Sequence, residues 1–264
     1  MKIIVCLKQV PDTNEVRINQ ETGTLIRDGV PSIINPDDKN ALEEALRIKA
    51  AHDCTVTVIS MGPPQAKDAL KEALAMGADE AILLSDRAFG GSDTWATATV
   101  LAAAIEKIGS YDIILCGRQA IDGDTAQVGP EIAEFLNIPQ VTYAKKIDFK
   151  DGKAIVTRYT ETGDYVIESK MPVLLTAIKE LNVPRYPTVK GILNAYAPGS
   201  DNISVWGIDD LTIDATQIGL KGSPTNVYKS FVPTKSKTNE MIDGLNGKEK
   251  AAKLIGKLSD LKLI

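Results

Sequence analysis

The sequence predicts an α/β protein: a doubly wound parallel sheet with an antiparallel β extension and a C-terminal arm. Three observations predict it. Lys2–Leu7 (KIIVCL) is a continuous apolar run, as a strand buried on both faces requires. Three further strand-like runs, Cys54–Ser60, Ala81–Ser85 and Tyr111–Cys116, alternate with amphipathic helix-length stretches. Strands separated by helices are the pattern of right-handed βαβ units and a parallel sheet. After Asn137 the texture changes to short β-type runs punctuated by glycine turns.

In chain order, the first strand exits through Lys8–Thr13 into Val16–Asn19 and Thr24–Arg27, which read as a small exposed hairpin. Pro31–Asp38 leads into a helix with Ala41, Leu42, Ala45, Leu46 and Ile48 as its apolar stripe, and Asp37 or Asp38 as its expected cap. Cys54–Ser60 ends at Met61-Gly62, and Gln65–Met76 then places Ala66, Ala69, Leu70, Ala73 and Leu74 on one helical face. Ala81–Ser85 passes through Asp86–Ser92 into a helix over Asp93–Ile108, with Asp93 as its cap. Tyr111–Cys116 is followed by a glycine loop and a helix reaching Leu136.

Val141–Phe149, Lys153–Glu161, Asp164–Ser169 and Val173–Ile178 read as an antiparallel meander, with turns at Asp151-Gly152 and Thr162-Gly163. From Pro184 to about Thr238 periodicity is lost and an extended segment is expected. Glu240–Leu263 regains helical spacing, and such an arm could dock on another subunit or on its own domain.

Composition narrows the function. At 264 residues, 44% hydrophobic and 25% charged, the chain is an ordinary globular one. A formal net charge of −5 gives no reason to expect nucleic acid. No apolar run has the length of a membrane span, and the N-terminus enters a strand without the pattern of a secretory signal. Cys6, Cys54 and Cys116 are widely spaced and lie in or beside apolar runs, which fits buried thiols in a reducing compartment, a bacterial-type cytoplasm or an organelle matrix. The dinucleotide fingerprint GxGxxG and the P-loop GxxxxGK[ST] are both missing. The lone histidine, His52, reads as a surface residue, and no metal site is expected.

Four loops end parallel strands on one edge: Cys6–Gln9, Ser60–Pro64, Asp86–Thr94 and Gly117–Gln127, with Asn35–Asp38 beside them. That edge is where an open α/β sheet binds ligands. Small residues, acids for ribose hydroxyls and N–H-rich helix starts suit an adenine nucleotide. Asp122 and Asp124 read as ribose contacts or helix caps, with Thr125 and Gln127 adding donors and acceptors at the helix start. Arg158-Tyr159 is either an exposed cross-strand pair or a contact with a partner or cofactor. Pro184–Ala195 is either a docking loop or a tether packed on its own domain.

The stretches KQVPD, INPDDKNALEEALRIK, ISMGPPQAKDALKEALAMGADEAILL, LCGRQAIDGDTAQVGPEIAEFL and MPVLLTAIKELNVPRYPTVKGI run through essentially the whole chain. With them the chain resembles the β (small) subunit of an electron-transfer flavoprotein. The resemblance implies a Rossmann-like domain over residues 1–225, including the 137–180 meander and a partner-recognition loop at 184–195. It also implies an arm, 226–264, docking on a larger α subunit that carries FAD. A second adenine nucleotide is implied in the crevice: AMP in conventional members, FAD in those that bifurcate electrons. Its shell falls on Cys6, Asn35, Pro36, Asp37, Asp38, Met61, Gly117, Arg118, Gln119, Asp122, Gly123, Asp124, Thr125, Ala126, Gln127 and Val128.

Mitochondrial-type members resemble QAIDDDCNQTGQ where this chain has QAIDGDTAQVGP. Gly123 and Ala126 would open room and expose backbone N–H groups, and the resemblance is to the bifurcating, anaerobe-type subgroup. There Asp86–Thr94, with Asp93 and Thr94, would line the flavin ring. That subgroup implies a hydride from NADH, one electron passed to the α-subunit FAD and an acyl-CoA dehydrogenase, and the other to ferredoxin or flavodoxin. The conventional carrier with AMP, and more remotely a nucleotide-sensing stress-type module, are the alternatives. No side chain need act as acid, base or nucleophile. The mitochondrial type carries Glu where this chain has Tyr159, so a salt bridge to the α subunit does not transfer there. The recognition loop places Arg185, Tyr186, Thr188, Val189, Lys190 and Ile192 toward a dehydrogenase, with Val189 replacing the usual leucine.

Overall fold

A computed structural model describes residues 1–12, 31–197, 199, 203–228 and 239–264. Its centre is β1 (Lys2–Cys6), in which every residue after Lys2 is buried. β2 (Gln9–Pro11) and β3 (Ser32–Ile34) form a small antiparallel pair. The hairpin expected at Val16–Arg27 lies outside the described residues. Next come α1 (Pro36–Ala51), β4 (Thr55–Met61), a 3-10 turn and α2 (Lys67–Met76), then β5 (Glu80–Leu84), α3 (Thr94–Ile108), β6 (Ile113–Gly117) and α4 (Val128–Phe135).

β7 (Gln140–Lys150), β8 (Lys153–Thr160) and β9 (Gly163–Lys170) pair antiparallel in turn. Asp151 and Gly152 both have positive φ, 51° and 74°, as the tight two-residue turn of a twisted hairpin needs. β10 (Val173–Ala177) is not part of this meander, contrary to expectation. It runs parallel to β6 and β7 and lies between them, with all five of its residues buried. An unbroken apolar run belongs in the middle of a covered sheet, not on a half-exposed meander.

The stretch after Pro184 is also more ordered than its lost periodicity suggests. It holds α5 (Val189–Ala195), β11 (Ile203–Trp206), α6 (Gly219–Gly222) and, further on, α7 (Gly247–Asp260). β11 adds a parallel edge strand beside β5, completing the order β11-β5-β4-β1-β6-β10-β7-β8-β9. Only four residues of β11 pair, too few to stand out as a strand among turn residues.

The sheet is wound on both faces. α1 and α2 pack against Ile3, Val5, Val56, Val58 and Leu115. α3 and α4 pack against Ile4, Ile59, Ile82 and Ile114 on the other face. Each fully buried Ile or Leu of this kind contributes roughly 1.5–3 kcal/mol relative to exposure. β1 and β6 are neighbours, and the chain turns one way from β1 through β4 to β5 and the other way from β6. The crevice of a doubly wound sheet opens at that reversal, above the carboxyl ends of β1 and β6.

Candidate functional site

At that reversal Cys6 and Cys116 are partners in register, and both face the α3/α4 layer. Burial, reinforced by the nearby Asp38 charge, pushes both thiols far above the usual range. They are packing groups in the crevice floor, not nucleophiles.

The N-terminus of α1 sits directly over β6. Asp38 accepts the Lys8 amide on Oδ2 and the Gly117 amide on Oδ1, both at 2.8 Å. It therefore does not cap α1, as either aspartate was expected to do. Its oxygens join the carboxyl ends of β1 and β6, and α1 starts at Asn35 with no side-chain cap. Burial raises its carboxyl to about 7, against the pull of the two amides.

Asn35 is fully buried, and it holds the loop after β6. Its Nδ2 donates to the Gln119 carbonyl at 2.8 Å and its Oδ1 accepts the Ile121 amide at 3.0 Å. Gly117 is required by this close approach: a Cβ there would overlap Asp38 Oδ1 and lie 2.6 Å from Asp38 N.

Farther along the loop, Lys8 Nζ bonds both oxygens of Asp122, at 2.7 and 2.8 Å. Gln119 Nε2 donates to Asp124 Oδ1. Neither aspartate caps α4, a correction to the expectation, because each is engaged by a side chain across the loop. Gln127, at the cap position, makes no side-chain bond either. The amides of Val128 and Gly129 lie in the first turn of α4 and are the helix-start donors an anion needs. Asp124 and Ala126 both have φ of 54°. Gly123 is different: its φ is not left-handed, and nothing lies within 4 Å of where its Cβ would be.

On the α3/α4 side, Asp93 caps α3 as expected, accepting the Ala96 amide at 3.0 Å. Its other oxygen accepts the Thr225 amide and hydroxyl at 2.9 and 2.8 Å. Burial works against its charge, but these donors prevail and hold the carboxyl below its usual range. The Asp86–Thr94 loop is further latched from outside by α6 and by the turn after β11. Gly219 N donates to Ser92 Oγ, Leu220 N to the Gly90 carbonyl and Ile208 N to Asp86 Oδ2. Nothing in the sequence pattern marks that cover. Thr94 Oγ1 donates to Glu131 Oε1 at 3.1 Å, joining α3 to α4.

The structure thus brings together Cys6, Asn35, Asp37, Asp38, Gly117–Gln119, Asp122 and Asp124, with Met61 at the end of β4 and Asp93 and Thr94 on the far layer. Lys8 and Ser60 belong to the expected strand-end loops Cys6–Gln9 and Ser60–Pro64 but, like Glu131, lie outside the expected ligand shell. Lys8 could have been found, since it follows β1 directly, but Ser60 and Glu131 carry no motif.

Three buried side-chain atoms among the described residues have no hydrogen-bond partner: Ser60 Oγ, Arg118 Nε and Glu131 Oε2. All three belong to this edge, at the end of β4, just after β6 and in the first turn of α4. Arg118 Nε reaches Asp37 Oδ2 only at 3.5 Å. Buried polar groups are normally satisfied, so three orphans on one sheet edge fit a site built around a polar ligand. Among the described residues no group of three or more His, Cys, Asp or Glu could hold a metal.

The partner-loop residues lie elsewhere. Arg185 is anchored, with Nε and Nη2 gripping the two oxygens of buried Glu43 on α1 at 2.8 and 3.0 Å. Thr188 caps α5, and a Cβ on Gly191 would overlap the Ala75 carbonyl in the last turn of α2. Tyr186, Val189 and Ile192 are left exposed on that fixed base. His52 is exposed, as expected. No helix among the described residues is long and apolar enough to cross a membrane.

Residues 22–209 match the family model described as the electron transfer flavoprotein domain. The chain is 60% identical, over the full length of both, to an electron transfer flavoprotein subunit beta of Thermoanaerobacterium thermosaccharolyticum. It is 55% identical, again over both full lengths, to subunit CarD of the caffeyl-CoA reductase–Etf complex of Acetobacterium woodii. It is 48% identical over full length to the acryloyl-CoA reductase electron transfer subunit gamma of Anaerotignum propionicum. With the doubly wound fold and the crevice at its reversal, these matches show that the chain belongs to the electron transfer flavoprotein family, as a β subunit.

Proposed function

We propose that this β subunit holds FAD in the strand-end crevice and serves, with a larger α subunit, in an electron-bifurcating complex. The observation that supports a resident ligand is that Ser60 Oγ, Arg118 Nε and Glu131 Oε2, each in a segment at the strand-end edge, are buried without a hydrogen-bond partner. The open space at Gly123 and the uncapped start of α4 favour a ligand with more than one phosphate. When bound, FAD would supply the redox chemistry, taking a hydride from NADH and delivering electrons singly to the α-subunit FAD and to ferredoxin or flavodoxin.

The chain's own residues bind and hold. Asp38 and Asn35 fix the loop after β6, so its amides are in place before a ligand arrives. Arg118, whose Nε is ion-paired with Asp37 but makes no hydrogen bond, is a candidate donor for a phosphate or a flavin oxygen, and Lys8–Asp122 closes the outer end of the loop.

The same reading assigns the other surfaces. Tyr186, just before α5, with Val189 and Ile192 on it, forms an apolar face for an acyl-CoA dehydrogenase, and two relatives named for CoA-ester reductases support that class of partner. Residues 226–264 are the arm for the α subunit: no residue of α7 is buried, and Leu254, Ile255, Leu261 and Leu263 are exposed. Three free, buried cysteines fit the cytoplasm.

The test is turnover of the heterodimer with its dehydrogenase. NADH should reduce ferredoxin only while an enoyl-CoA is reduced at the same time. No NADH oxidation, with electrons passing only from an acyl-CoA to the α-subunit flavin, would contradict bifurcation.

A further inference from the structure

Among the described residues, Tyr143 is the one non-glycine residue inside a strand with a left-handed backbone, at φ 58°. A bulky side chain seldom accepts that conformation. The cause is a slip in the ladder. Val141 and Ala144 on β7 stand opposite Leu175 and Ala177 on β10, so that Thr142 and Tyr143 together face Thr176 alone. The Tyr143 amide leaves the ladder and donates to Thr176 Oγ1 at 2.9 Å. β7 slips again against β8, between Ala144 and Lys146. A bulge of this kind re-aims a side chain, and strained backbone of this kind gathers beside functional sites.

The re-aimed ring meets two arginines from different segments. Arg118, just past β6, and Arg158, on β8, each hold the guanidinium carbon 5.9 Å from its centroid. The bulge is level with the crevice edge, because Ala177 is in register with both Gly117 and Ala144. Arg158 Nε donates to the Thr142 hydroxyl at 3.3 Å. Among the described residues the two arginines make one ion pair, Arg118 with Asp37 at 3.5 Å, and no carboxylate pairs with Arg158. Two like charges thus share one ring with a single counter-charge, and both side chains are half-buried. A guanidinium fork held against an aromatic face is pre-organised for bidentate contact with an anion, phosphate above all. Phosphate is favoured over a partner's carboxylate by place, since Arg118 belongs to the glycine loop that leaves the crevice edge.

Resting on the reading that the crevice holds a nucleotide, we infer that Arg158, with Arg118, binds a nucleotide phosphate at the rim of the crevice, and that the bulge at Tyr143 positions the two guanidiniums for it. The phosphate belongs either to the resident nucleotide or to the NADH that reduces it.

The experiment uses the heterodimer with its α subunit, as wild type, Arg158→Gln and Arg158→Lys. One arm strips the crevice and titrates it with FAD and with AMP. The other restores the crevice nucleotide and titrates NAD⁺, which cannot reduce the flavin. Arg158→Gln should weaken one of these affinities about tenfold or more, the worth of a charge-assisted hydrogen bond. Arg158→Lys, which keeps the charge and loses the fork, should weaken it less. Inorganic pyrophosphate should compete with that ligand on wild type and compete less well on Arg158→Gln. A loss for FAD or AMP assigns the phosphate to the resident nucleotide, and a loss for NAD⁺ alone assigns it to the donor.

Unchanged affinities in both arms would overturn the inference. So would weaker association with the α subunit while both affinities hold, which would make Arg158 a subunit contact. A loss of affinity with pyrophosphate competition unchanged would overturn it too, as the mark of altered shape and not of a lost phosphate contact. If Arg158→Gln fails to assemble, Arg158→Lys decides by the same criteria. Failure of the nucleotide reading itself is distinct, because wild type would then bind neither FAD nor AMP in the stripped crevice.

Discussion

Asp38 and Gly117 are joined so closely that one carboxylate oxygen accepts the glycine amide at 2.8 Å and fills the place a Cβ on residue 117 would take. The start of α1 and the end of β6 therefore fix each other's position, and the crevice loop departs from that joint. Replacing Gly117 with alanine should lower unfolding free energy by about 3 kcal/mol, because the new methyl meets backbone of α1 and not a movable side-chain tip. Chemical denaturation checks this, and a loss under about 1 kcal/mol would mean the joint can open at little cost.

The same carboxylate makes stability depend on pH. Its folded pKa is raised to about 7 from an ordinary 3.8, so the folded state holds the proton more tightly than the unfolded one. The contribution is complete below about pH 4 and is lost as pH rises through 7. Measured against Asp38→Asn, which cannot titrate, wild type should lose about 4 kcal/mol of relative stability between pH 4 and pH 8. A pH-independent difference between the two proteins would show that the Lys8 and Gly117 amides fully compensate the burial.

Arg185 and Tyr186 adjoin in the chain but should behave oppositely. Arg185→Ala strands the buried Glu43 carboxylate with Arg47 at 3.4 Å as its remaining ion pair, and should cost about 2 kcal/mol of stability. Tyr186 is 92% exposed, so Tyr186→Ala should leave stability within about 0.5 kcal/mol and weaken only the binding of a dehydrogenase. Thermal melts beside a binding titration separate the two effects; a stability loss for Tyr186→Ala would show that it packs on its own domain.

These residues also show what the sequence could and could not disclose. The first four parallel strands were legible because continuous apolar runs have few other uses, and so was the Asp93 cap, although the same reasoning failed for Asp37 and Asp38 at α1. β10 was misplaced because an apolar run says that a strand is buried and not which neighbours bury it. Asp38 was legible as a residue of the edge but not in its role: its partners, Lys8 and Gly117, are 30 and 79 residues away. Arg185 was read as a surface contact because its partner, Glu43, is 142 residues away on α1. Glu131 had no signal at all, since an unpartnered oxygen exists only once the chain has folded around it.

Cofactor content of the purified heterodimer tests the central claim most directly. Release by denaturation and quantitation should give two FAD per heterodimer and no AMP. One FAD and one AMP per heterodimer would contradict it.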